Sequence, residues 1–162
     1  KAFSMTGWRI GYAGGSLSII KAMAKIQSQS TSNPTSISQY AALAALNDKQ
    51  DFIYENCKIF KKRRDLIIEI INNIKGINCK SPQGAFYIFP SIKGILGKKD
   101  HKGRVIENST SFCNFLLDKA GVAVVPGIAF GMENHFRISY ATSEEELKKA
   151  GQRIYQACKE LI

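Results

Sequence analysis

Lys1-Ala2-Phe3-Ser4-Met5-Thr6-Gly7-Trp8-Arg9-Ile10-Gly11-Tyr12-Ala13-Gly14-Gly15 opens the chain and governs how the rest is read. It sets a primary amine, a guanidinium and several glycines in one short segment. A lysine amine relieved of its proton, by desolvation or a neighbouring cation, can condense with an aldehyde. An arginine keeps its charge and offers a planar fork that suits phosphate or carboxylate. Glycine lets backbone approach a ligand closely or turn sharply. On spacing alone the same residues also describe an ordinary solvated surface, so the pairing needs support from elsewhere in the chain.

An aldehyde that also carries a phosphate would engage both groups, and pyridoxal phosphate is such a molecule. The run from Lys1 to Gly11 resembles the pyridoxal-phosphate attachment site of class I and II aminotransferases. There the cofactor-bearing lysine is followed by a small residue, an apolar residue and then Gly-x-Arg-apolar-Gly. The resemblance implies that Lys1 is the catalytic, cofactor-binding lysine and that Arg9 grips the cofactor phosphate. The family pattern starts shortly before the lysine. Its partners for the pyridine nitrogen and ring oxygen also precede that position.

Two further stretches resemble the same family. Pro82-Gln83-Gly84-Ala85-Phe86-Tyr87-Ile88-Phe89-Pro90 reads by itself as a turn followed by a strand over 85–89, and it matches an aminotransferase signature. Val124-Val125-Pro126-Gly127 runs on to Phe130-Gly131, and Arg137-Ile138-Ser139-Tyr140-Ala141 follows. Arg137 interrupts an apolar strand pattern, and a buried guanidinium needs an anion. Read from the residues alone, that anion is a protein carboxylate at a strand edge, or else the group faces water. The resemblance implies instead that Arg137 binds the substrate α-carboxylate.

Between these motifs the periodicity predicts helices over 18–29, 37–46, 50–75 and 109–120, and a last one capped by Thr142 or Ser143. Gly76 and Gly121 are placed to end the third and fourth. Short strands are expected over 122–125 and 136–140. The polar run from Ser28 to Ser36 reads as a helix-to-helix connection. Residues 92–108, rich in glycine and lysine, read as a mobile loop. The expected fold class is α/β, the end of a pyridoxal-phosphate transferase large domain followed by a small α/β C-terminal domain. The expected division is 1–48 for the large-domain portion, 49–75 for a long interdomain helix and 76–162 for the small domain.

The chain has 162 residues, 44% of them hydrophobic, enough for a globular core. It is short for a complete aminotransferase of this family, so it is expected to be the C-terminal part of a longer chain. Its 23 Lys and Arg against 13 Asp and Glu give a formal charge of +10. The basic residues, including Lys58, Lys61, Lys62, Arg63 and Arg64, spread along helical stretches with no recognition motif, so no nucleic-acid partner is expected. Cys57, Cys79, Cys113 and Cys158 are widely separated and show no metal-site spacing; they read as free thiols of a reducing compartment. No apolar run approaches the roughly 18 residues of a membrane span, and no metal is expected. A cytoplasmic location follows.

The resemblance implies transamination between an L-amino acid, aspartate first, and a 2-oxo acid such as 2-oxoglutarate, in a homodimer. Aromatic, alanine and prephenate aminotransferases stay open, as does a pyridoxal-phosphate lyase of the same fold.

Overall fold

A computed structural model describes residues 1–162. The chain divides into two compact units, Lys1–Asn56 and Cys57–Ile162.

The first unit opens with a 3₁₀ turn, Thr6–Trp8, followed by α1 (Leu17–Ser30) and α2 (Ser36–Asn47). Ser32, with φ 62, turns the chain between them. Its long helix α3 (Asp51–Asn72) runs on into the second unit. Of all side chains in the first unit only Ser38 is buried.

The second unit continues from α3 through β1 (Tyr87–Ile88), α4 (Ser109–Ala120), β2 (Val125–Pro126), a 3₁₀ turn at Gly127–Phe130, β3 (Phe136–Ser139) and α5 (Glu144–Lys159). The strands form one antiparallel sheet in the order β1-β3-β2. Tyr87 pairs with Ser139 and Ile88 with Ile138 on one side of β3; Val125 pairs with Arg137 and Pro126 with Phe136 on the other. Alternate residues of β3, Phe136 and Ile138, point into the core, which sends Arg137 to the opposite face. The core is built from Ile67, Ile71, Ile88, Phe112, Leu116 and Ile154 among others, supplied by α3, the sheet, α4 and α5.

The helices form where apolar spacing and caps placed them. In α4 the Ser111 amide donates to Asn108 Oδ1 at 2.9 Å, and Ser111 Oγ accepts from the Asn108 amide at 3.0 Å, a reciprocal cap. Gly121, at φ 62, closes its other end. Ser143 caps α5, accepting from the Glu146 amide, with three glutamates in the first turn. Where α5 crosses α3, Gly151 makes room: a Cβ there would stand 2.7 Å from Ile70 Cγ2.

The strands are shorter than expected, for two local reasons. Ala85 lies in the left-handed region at φ 63, so β1 cannot begin there, and Pro90 has no amide to prolong the ladder beyond Phe89. The expected strand over 122–125 contributes only Val125, because the Val122 amide donates to Leu116 O at 3.3 Å and so belongs to the end of α4. Helix α3 ends at Asn72, ahead of Gly76.

The stretch 92–108 departs most from its reading as a mobile loop. Ile92, Ile95 and Ile106 are buried in the core, and Lys99 bridges to Val105. The Asp100 carboxylate, also buried, accepts from the amides of Lys102 and Arg104 and from Arg104 Nε, each at 2.8 Å. Desolvation alone would raise its pKa, but the Arg104 guanidinium and the two amides prevail and hold it at about 2. At the start of this stretch Gly76 and Gly94 cross so closely that a Cβ on Gly94 would lie 2.6 Å from the Gly76 Cα.

Cys79, Cys113 and Cys158 are buried and Cys57 is exposed, all as free thiols. Burial pushes the Cys158 thiol up to about 12 and Cys113 up to about 11. No helix is long and apolar enough to cross a membrane.

Candidate functional site

Two of the three residues singled out in the sequence, Lys1 and Arg9, lie in the first unit, and Arg137 lies in the second.

In the first unit a chain of backbone turns leads from the lysine to the arginine. Ser4 N donates to Lys1 O at 3.0 Å, Trp8 N to Met5 O at 3.1 Å and Arg9 N to Thr6 O at 3.4 Å. Arg9 itself adopts the left-handed region, φ 49 and ψ 47, a conformation disfavoured for a residue with a Cβ. Its Nη1 donates back to Thr6 O at 3.2 Å, leaving the other guanidinium donors open to solvent. The Ser38 hydroxyl of α2 donates to Trp8 O at 2.9 Å and ties this coil to the helix.

A hollow of about 640 Å³ adjoins the coil, lined by Lys1, Phe3, Met5, Ile10, Tyr12 and Leu43 among others. Around it Gly7 and Gly11 face open space, where an added Cβ would meet nothing within 4 Å. Lys1 lines this hollow, while Arg9 is not among its lining residues. Both residues are exposed, an amine of a type that can condense with an aldehyde and a guanidinium of a type that can meet a phosphate dianion.

In the second unit Arg137 sits on the central strand, not at an edge. No protein carboxylate pairs with it, so the carboxylate pairing is absent, and the side chain is partly exposed. Its guanidinium carbon lies 4.3 Å from the Tyr87 ring centroid and 4.4 Å from that of Phe130. The same aromatic group includes Phe89, edge-on to Phe130 at 5.9 Å, and His135, stacked on Phe89 at 5.1 Å. Desolvation, and after it the charge of Lys93, lowers the pKa of His135 and favours the neutral ring.

A buried hydroxyl places Phe130. Ser109 Oγ donates to Glu133 Oε1 at 2.9 Å and accepts from the Ile128 amide at 3.3 Å, joining the start of α4 to the 3₁₀ turn that carries the ring. Sequence reasoning missed Tyr87, Phe130, Ser109 and Glu133. Both aromatics stand inside the quoted motifs, yet aromatics in strand-like runs read first as core.

The family model for Aminotransferase class I and II matches residues 1–154. The chain belongs to this family. It is 56% identical over 161 residues to an aspartate aminotransferase of Rhizobium meliloti (strain 1021), covering 99% of this chain and 39% of that protein. It is 57% identical over 158 residues to a probable aspartate/prephenate aminotransferase of Rhizobium leguminosarum bv. phaseoli, covering 98% and 40%. The crystal structure of the aspartate aminotransferase from Rhizobium meliloti superposes with a TM-score of 0.93 at 56% identity, over 100% of this chain and 40% of that one. The chain thus spans about 40% of the length of the aminotransferases it matches.

Proposed function

We propose that the chain is the lysine-bearing, carboxylate-binding part of an aminotransferase that moves the amino group of an L-amino acid, aspartate first, to a 2-oxo acid such as 2-oxoglutarate. The observation that carries this reading is Arg137, a cation held on the central strand among aromatic rings with no protein carboxylate to neutralise it. An arginine in that setting is built for an anion from outside the chain.

The cofactor is pyridoxal phosphate, which when bound supplies an electron sink for the bonds at the substrate α-carbon. Lys1 would hold its aldehyde, and the Lys1 amine would take the proton from the substrate α-carbon. Arg9 neutralises the phosphate and fixes that end of the cofactor. Arg137 receives the substrate α-carboxylate on its fork and so fixes how the substrate is presented.

In this reading 1–48 is the end of the cofactor-binding large domain, 49–75 the interdomain helix and 76–162 the small domain. The working form is a cytoplasmic homodimer. Aspartate leads because the two relatives carry it in their names; prephenate stands second on the name of the Rhizobium leguminosarum protein.

Borohydride reduction of the holoenzyme followed by peptide mass mapping tests the assignment. The cofactor's mass should appear on the peptide containing Lys1, and Lys1→Ala should abolish it and lower kcat by about 10²- to 10⁴-fold. Label on another lysine, or amino transfer that survives Lys1→Ala, would overturn it. Amino transfer to 2-oxoglutarate, as opposed to release of a substituent or carbon dioxide, separates a transaminase from a lyase.

A further inference from the structure

We propose that Tyr87 and Phe130 are positioning residues that hold the Arg137 guanidinium between them and thereby set its selectivity for a planar carboxylate. The proposal rests on the reading of Arg137 as the carboxylate-binding residue and adds what gives that residue its orientation.

A free arginine side chain has four rotatable bonds and loses much rotamer freedom when it is fixed. An ion pair within the protein would fix it, but would also occupy the fork. Aromatic rings offer a different restraint. They attract the cation through the ring quadrupole and lie against the flat faces of the guanidinium. The N–H groups lie in the guanidinium plane, so they stay available to an incoming carboxylate.

Two rings stand at cation–aromatic distances from the Arg137 guanidinium carbon. Tyr87 and Phe130 approach its guanidinium carbon at 4.3 and 4.4 Å, well inside the roughly 6 Å range of the interaction. They arrive from different elements, Tyr87 from β1 and Phe130 from the turn that follows β2. Each ring is braced in turn: Tyr87 by Phe86 at 4.4 Å between centroids, Phe130 edge-on by Phe89 at 5.9 Å. The turn under Phe130 is fixed by the Gly127 amide donating to His135 O at 2.8 Å and by the Ser109 hydroxyl accepting from Ile128 N.

Phe130 is also 46% exposed, which is unusual for a side chain meant to fill a core.

The test uses the holoenzyme and four variants: Tyr87→Leu, Phe130→Leu, Tyr87→Phe and Arg137→Leu. Succinate, an unreactive carboxylate, is titrated by calorimetry, and KM and kcat are measured with L-aspartate. Each leucine variant keeps apolar volume but loses the ring, and should weaken succinate binding by about 3- to 30-fold. KM for aspartate should rise in parallel while kcat stays within about threefold, since the lost interaction serves ground state and transition state alike. Tyr87→Phe should restore parental affinity to within about twofold, because the ring and not the hydroxyl faces the cation.

Leucine variants that bind succinate like the parent, with Arg137→Leu still deficient, would overturn the clamp and leave the role of Arg137 intact. A fall in kcat at unchanged KM would mark general damage and overturn it equally. Arg137→Leu binding succinate like the parent would bring down the underlying reading together with the clamp.

Discussion

The two units of this chain use similar residues to opposite ends. Residues 57–162 contain every buried hydrophobic side chain of the molecule. Residues 1–56 bury only Ser38 and expose Tyr12, Leu17, Ile26, Ile37 and Tyr40, each by more than two thirds. Both regions contain helices with good formers and apolar side chains. The difference lies in what those side chains meet. In the second unit α3, α4 and α5 close on a sheet, and the apolar stripes vanish from water. In the first, α1 and α2 have stripes of their own but no surface of the same unit large enough to cover them. Hydrophobic burial is the main favourable term in folding, so the two units should differ sharply in independent stability.

The largest expected effect comes from separating them. Residues 57–162 expressed alone should give one cooperative urea transition by circular dichroism, and residues 1–56 alone should give none and little helix. A cooperative transition in 1–56 would break the comparison.

A smaller contrast comes from two glycines. A Cβ on Gly127 would sit 2.1 Å from Met132 O and 2.4 Å from His135 O, whereas one on Gly14 would meet nothing within 4 Å. Gly127→Ala should cost about 3 kcal/mol or more, because backbone oxygens cannot rotate away, and Gly14→Ala less than about 0.5 kcal/mol. Denaturant midpoints of the two variants check this, and equal midpoints would show that close packing is not confined to the second unit.

The smallest effect is acid sensitivity of the 92–108 stretch. Asp100 is held at about 2 when folded, against an ordinary 3.8. A group with a lowered folded pKa stabilises above its unfolded value and loses that contribution as pH falls toward the folded one. The Asp100 contribution is therefore full above about pH 4 and fades between about pH 4 and pH 2. Asp100→Asn should flatten the stability profile across that window in the second unit alone, as read from denaturant midpoints at each pH.

Much of this was legible in the sequence where a residue carries its own signal. The cap at Ser143, the stop at Gly121 and stripes such as Leu147, Ile154 and Leu161 are local, and the helices fell where these predicted. Arg137 was legible as an unexplained charge in an apolar run. The two rings that flank it were not, since a cation–aromatic contact depends on strand register and on the path of a turn. The 92–108 stretch misled for a related reason. Its glycines and lysines suggest looseness, and Gly94, Gly97 and Gly103 break any run that would join Ile92, Ile95 and Ile106 into one element, so their shared burial is visible only in three dimensions.

The crossing of Gly76 and Gly94 has a consequence for how this chain can vary. A side chain on Gly94 would press against the Gly76 Cα, and one on Gly76 would stand 2.6 Å from the Gly94 carbonyl oxygen, with φ already at 92. Neither position can change first and wait for the other, because each is blocked by main chain and not by a replaceable side chain. The two behave as a single locked letter written in two places. Sequence drift must pass around this pair, and a designer enlarging the small pocket of freedom elsewhere in the unit would do well to leave both untouched.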